Sequence, residues 1–176
     1  MAYNSTVGNV VQTVTNTYQG FAAYTNVSTS SQVTITQLTT SITPKFNNSK
    51  ILILASITYD WTRDNSGCGF IVYRDNQGGT DAELAKGNSF SNNYRVYTDL
   101  GANANRDQSC MQRSINLVDS PSTNNNIQYQ IRLQNSSNGS GQNFILNASM
   151  HAQGSATNQV DDPKCVSVVT LMELAQ

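Results

Sequence analysis

His151 is the only histidine of this 176-residue chain, and it lies in Asn147-Ala148-Ser149-Met150-His151 with no serine or cysteine tied to it by a motif. A hydroxyl or thiol nucleophile usually needs an adjacent base, so such chemistry would rest on His151 alone; an exposed or hydrogen-bonded strand histidine accounts for it more simply. Hydrolysis of a sugar would need two carboxylates, for which Asp60, Asp64, Asp81, Glu83, Asp99 and Asp119 are available. Their spacing singles out no pair, and most lie in turn clusters, where aspartate caps backbone donors. Asp75-Asn76-Gln77-Gly78 and Asp161-Asp162-Pro163 gather oxygen ligands, yet neither has the alternating ligands and closing glutamate of a calcium loop. Cys68, Cys110 and Cys165 are far apart, with no CxxC pair, which argues against zinc. Reduced thiols packed as small apolar residues are the expectation, and one disulfide is the alternative. Asn-x-Ser/Thr triplets occur at Asn4, Asn26, Asn47, Asn135, Asn138 and Asn147, but with this composition about five arise by chance. Tyr94, Arg95 and Tyr97, flanked by Asn92-Asn93 and Asn103-Ala104-Asn105, could stack on and hydrogen-bond to a sugar. They are the candidate receptor contacts. No catalytic, cofactor-binding or metal-binding residue is assigned, and the chain is read as not an enzyme.

The elements that hold these residues are set by an unusual composition. Asn (22), Ser (20), Thr (18) and Gln (14) make up about 42% of the chain, while charged residues are 12%. The net charge of −1 provides no basic stripe to displace counterions from a phosphate backbone, so nucleic acid is excluded as an expected partner. The strongest apolar run, Ile51-Leu52-Ile53-Leu54-Ala55, is far short of the ~20 residues of a membrane span, and no signal peptide is expected at the start. At this length one domain can bury roughly 70% of its unfolded surface. Disorder is not expected, because the 38% hydrophobic content is concentrated in short β-branched and aromatic runs.

Period-two alternation recurs along the chain and no helical spacing persists for three turns, so the fold is expected to be all-β. The clearest strand is 126–134, with Ile127, Tyr129, Ile131 and Leu133 on one face and Gln128, Gln130, Arg132 and Gln134 on the other. Further strands are expected at 10–15, 20–27, 32–38, 50–61, 68–74, 94–100, 108–118, 143–151 and 164–174, about ten in all. Asn, Asp, Ser and Gly clusters mark the intervening turns. No domain boundary is evident. Residues 1–8 are read as an N-terminal arm and 9–176 as one domain.

Two strands are apolar on both sides. Residues 50–61 place Ile51, Ile53, Ile57 and Tyr59 opposite Leu52 and Leu54, and residues 166–174 place Val166, Val168, Met172 and Leu174 opposite Val169 and Leu171. A half-solvated antiparallel strand needs only one apolar face. Another copy of the chain would cover the second, and hiding a few hundred Å² of it at ~25 cal/mol per Å² would contribute several kcal/mol per protomer before association costs. Coverage by the chain's own loops is the competing explanation. Leu52, Leu54, Tyr59, Val169 and Leu171 are the candidate interface residues.

Several segments, taken in order, carry a resemblance: Ser41-Ile42-Thr43-Pro44, Asn48-Ser49-Lys50-Ile51-Leu52-Ile53-Leu54-Ala55-Ser56, Phe70-Ile71-Val72-Tyr73-Arg74, Leu117-Val118-Asp119-Ser120-Pro121, Tyr129-Gln130-Ile131 and Val169-Thr170-Leu171-Met172-Glu173-Leu174. This set, over residues 10–176, resembles bacteriophage virion-surface proteins of the complement-globular-head and tumour-necrosis-factor jelly-roll type. The resemblance implies a single ten-stranded antiparallel jelly-roll sandwich that forms a homotrimer, with strands 51–59, 127–133 and 166–174 on the sheet facing the threefold axis. It implies a capsid decoration knob or head fibre, made in the host cytoplasm and carried on the virion surface. Its partners would be itself, other virion proteins of capsid or tail, and a host surface glycan. A tail-fibre tip that recognises such a glycan is the alternative. The chain has no heptads or Gly-X-Y repeats for a shaft.

Overall fold

The alternation along 127–135 is realised as a strand whose inward side chains Ile127, Tyr129, Ile131 and Leu133 are all buried. The structure, a computed structural model, describes residues 8–27, 32–61, 68–77, 79–84, 98–99, 111–135, 142–148 and 165–176. Among them lie β1 (Val10–Tyr18), β2 (Ala22–Val27), β3 (Val33–Thr34), β4 (Thr40–Ile42), β5 (Lys50–Trp61), β6 (Cys68–Asp75), β7 (Ala82–Leu84), β8 (Thr98–Asp99), β9 (Met111–Asp119), β10 (Ile127–Asn135), β11 (Gln142–Leu146) and β12 (Ser167–Leu174). The described chain is all-β, with two antiparallel sheets and a single 3-10 turn at Thr36–Leu38.

In the first sheet β5 is central. One edge of it pairs with β12 over Lys50–Ser56 and with β11 over Tyr59–Trp61, while the other edge pairs with β9. β1 lies outside β12, and β2 lies outside β11. In the second sheet β10 has β4 and β3 on one edge and β6 on the other, and β7 and β8 pair with β6. Grouping strands that lie end to end beside one partner gives the orders (β1,β2)-(β12,β11)-β5-β9 and (β4,β3)-β10-β6-(β7,β8). Consecutive runs alternate between sheets in the manner of a jelly roll. Strand ends at Val10, Ile42, Lys50, Asp75, Asp119, Ile127 and Leu174 share one end of the sandwich, as the registers require. The chain's described ends meet there too. Gly8 N donates to Ala175 O at 2.8 Å and Ala175 N to Asn9 O at 2.9 Å.

The core lies between the sheets. Ile51, Ile53, Ala55, Ile57 and Tyr59 of β5 face Ile127, Tyr129, Ile131 and Leu133 of β10 within one buried cluster. At the far end the Tyr59 ring stacks on Phe144 at 5.7 Å and meets Phe70 edge-on at 5.5 Å. Phe70 belongs to the second sheet, so these contacts bolt the layers together, at about 0.5–1.5 kcal/mol per pair beyond area burial.

Three expectations need correction. Residues 32–38 are not one strand: after β3 the chain turns, with Leu38 N donating to Ile35 O at 3.0 Å, so that Ile35 and Leu38, three residues apart, both reach the core. β4 and β7 were not expected, being three residues each. The third concerns β10, which is not in the sheet of β5 and β12. Its backbone bonds go to β3, β4 and β6, and its apolar face meets theirs across the core rather than beside them.

Candidate functional site

The registers sort the two-faced strands unambiguously. On β5 and β12 the inward pairs are Ile51 with Glu173, Ile53 with Leu171 and Ala55 with Val169; the outward pairs are Lys50 with Leu174, Leu52 with Met172, Leu54 with Thr170 and Ser56 with Val168. The five candidate interface residues therefore divide. Tyr59, Val169 and Leu171 are at most 1% exposed and fill the chain's own core, so they are corrected to core residues: they share the phase of Ile51 and Ile53, not of Leu52. Leu52 and Leu54 face outward and are half-buried.

They belong to an aliphatic strip. Across the sheet Leu52 lies between Val118 and Met172, and Leu174 beside it pairs with Val10. Val118 is 50% exposed and Val10 55%. Leu54 and Val168 continue the strip among Thr13, Thr15, Thr17, Ser56, Ser114 and Asn116. The outer face of the second sheet is different. There Arg132 lies 3.3 Å from the centroid of the Tyr73 ring and donates from Nε and Nη2 to Gln130 Oε1 at 2.9 and 2.7 Å. Gln130 in turn donates to Gln128 Oε1 at 2.8 Å.

Three polar clusters hold the frame of these faces, and none was evident from the sequence. Glu173 is fully buried and accepts from Gln12 Nε2 (2.7 Å), Lys45 N (2.8 Å), Phe46 N (3.2 Å) and Ser49 Oγ (2.7 Å). Burial pushes its carboxyl up, but the bonds from Ser49, Gln12, Phe46 and Lys45 outweigh it and hold the group below its ordinary range. Arg74 Nη1 donates to both oxygens of Asp119 at 2.8 Å, and the Tyr129 hydroxyl donates to Asp119 Oδ2 at 2.7 Å. Burial first, and then the Asp119 charge, raise the Tyr129 phenol and keep it protonated. This cluster ties β9 of the first sheet to β6 and β10 of the second. The third cluster centres on Asn147, which is fully buried at φ 60°. Its N–H donates to Thr58 O (2.8 Å), its Nδ2 to Tyr18 O (2.8 Å) and Gly20 O (2.9 Å), and its Oδ1 accepts from Ser167 Oγ (2.6 Å).

The other chemical candidates are placed as follows. Asp75 Oδ1 accepts from Gln77 N, and Asp81 accepts from Asn76 N and the Tyr73 hydroxyl, so both brace their turn. Glu83 accepts from Gln32 Nε2. Asp60 is buried and hydrogen-bonded or otherwise engaged. Cys165 is half-buried, and its backbone N–H donates to Asn147 O at 2.9 Å. Tyr94, Arg95, Tyr97, Cys110, His151, Asp64, Asp161, Asp162 and residues 1–7 lie outside the described residues, as do the side chains of Cys68 and Asp99. Among the described residues no three His, Cys, Asp or Glu side chains form a metal-binding group, and no helix is long and apolar enough to cross a membrane.

No protein-family model and no curated protein matches the sequence. Among solved structures, similarity is found to the T13 viral particle of infectious bursal disease virus (TM-score 0.46, 11% identity, 96% of this chain and 37% of that one). The Gx strain of the same virus is similar too (0.44, 13%, 94% and 37%), as is its VP2 subviral particle (0.41, 11%, 94% and 42%). This chain thus spans about two fifths of their length.

Proposed function

We propose that this protein is a non-enzymatic structural component of a bacteriophage virion, a jelly-roll knob on the particle surface that works as a homotrimer. The observation that carries the reading is the aliphatic strip on the outer face of the first sheet. The outer face of an antiparallel sheet is commonly polar, and that of β10 is, with Gln128, Gln130, Arg132 and Gln134; Val10, Leu52, Leu54, Val118, Val168, Met172 and Leu174 depart from that pattern. Sister copies packed on this strip would withdraw it from water. The nature of the particle comes from the ordered resemblance of the segments around Lys50–Ser56, Phe70–Arg74 and Val169–Leu174 to phage surface proteins. Capsid decoration or a head fibre fits a globular knob anchored to other virion proteins, and the tip of a tail fibre reading a host glycan is the second reading.

Native mass spectrometry of the full chain at micromolar concentration tests the assembly. A species of three times 19.1 kDa is expected; a monomer would overturn the proposal. Imaging of the intact particle assigns head or tail, and absence of the chain from the particle would remove the virion role altogether.

A further inference from the structure

A second surface feature lies away from the aliphatic strip, at the end of the sandwich where the connections after β6 and β9 meet. They enclose a half-open groove of about 420 Å³, lined by Arg74, Asn76, Thr80, Ser122, Thr123 and Asn125 among others. That volume is within the range of small-molecule sites. Three observations give it a chemistry. First, the Arg74 guanidinium is held in place by Asp119 through Nη1 alone. Its Nη2 makes no hydrogen bond among the described residues, its Nε is buried without a partner, and Arg74 lines the groove, so an immobilised guanidinium with unused donors stands at the groove wall. Second, the charge of Arg74 is already matched by Asp119, and the remaining side chains named on the wall are amides and hydroxyls, so the groove is rich in hydrogen-bonding groups but carries no surplus charge. Third, two of the three non-glycine residues with positive φ among the described residues, Gln77 at 47° and Ser122 at 54°, line this same groove. Such backbone costs of order 1–3 kcal/mol per residue and clusters at binding sites.

We infer that the Arg74–Ser122 groove binds a neutral polyhydroxyl ligand, one hexose unit of a glycan. An oxyanion would find its cation already neutralised, whereas sugar hydroxyls can both accept from the guanidinium edge and donate to the amide and hydroxyl oxygens. Among the described residues no aromatic ring lines the groove to stack on a pyranose, so binding by one subunit is weak, in the millimolar range, and effective only through several copies. The inference does not depend on the trimer or on the virion, and it fails or holds independently of them.

The test is a titration of the full chain, followed by amide NMR, with glucose, galactose, mannose and rhamnose, and with sodium sulfate as the anionic control. Saturable shifts at Thr80, Ser122, Thr123 and Asn125 are expected with at least one sugar and not with sulfate. Arg74→Lys keeps a cation beside Asp119 but withdraws the guanidinium edge, and binding should weaken tenfold or more. Should that variant fold poorly, Ser122→Gly removes the hydroxyl while relieving the positive φ; its melting temperature should hold or rise and its sugar affinity should fall at least threefold. The inference is overturned if no sugar saturates these amides, if sulfate does so equally, or if stably folded Arg74→Lys and Ser122→Gly bind the sugar as the native chain does.

Discussion

Glu173 is the most consequential side chain whose role the sequence concealed. It sits in a stretch that reads as apolar, and the groups that hold it come from Gln12 and from residues 45–49, far away along the chain. A carboxylate buried among four donors is stabilising only while ionised. Its folded-state pKa lies below its unfolded value, so the unfolded chain takes up a proton first as pH falls. The stabilisation is therefore complete above the unfolded pKa and is lost as pH drops through the folded one. Urea denaturation between pH 7 and pH 3 should show stability falling on the acid side, with a shallower fall in Glu173→Gln. At pH 7 Glu173→Ala should cost about 3 kcal/mol, because Ser49 and two backbone N–H groups lose their acceptor.

At the scale of elements, the weak point of the first sheet is where each of two neighbouring runs is broken in two. β1 ends and β2 begins beside the place where β11 ends and β12 begins, and Asn147 closes the gap by bonding Tyr18, Gly20, Thr58 and Ser167. Asn147→Ala removes both Nδ2 bonds and the Oδ1 acceptor and puts an alanine at φ 60°, a combined cost of about 3–5 kcal/mol. Asn147→Gly loses the same side-chain bonds without the strain, so chemical denaturation should find it about 1 kcal/mol less damaged than the alanine variant. Strands such as β5 and β10 were legible because inward and outward residues alternate over eight or more positions. The division of 32–42 into β3, a turn and β4 was not, since the turn inserts Ile35 and Leu38 at a spacing of three that interrupts the period of two. The sheet to which β10 belongs was equally hidden: alternation fixes which face is apolar and leaves the hydrogen-bonding neighbours undetermined.

For the whole molecule, the separation of inward from outward aliphatic residues makes assembly and stability independently testable. Leu171→Ala empties part of the core and should destabilise each subunit by about 2–5 kcal/mol. Leu52→Asp, on the outer strip, should leave the subunit folded by circular dichroism and convert the expected trimer to monomer in sedimentation. If Leu52→Asp remains trimeric, the strip is not the contact surface. The candidate surface was half legible in the sequence: the phase of Leu52 and Leu54, opposite to Ile51 and Ile53, puts them outward, whereas Val118 and Val10 become their neighbours only through the register with β5 and β12.

The backbone bonds between Gly8 and Ala175 and between Ala175 and Asn9 bring the two ends of the described chain within reach of a linker of a few residues. A circular permutant of residues 8–176 that joins Gln176 to Gly8 and opens the chain at the exposed Ser122 would keep every described strand pairing intact, and it should fold with an unchanged far-ultraviolet spectrum. New ends placed there could then carry a fused peptide beside the groove while the original ends are sealed.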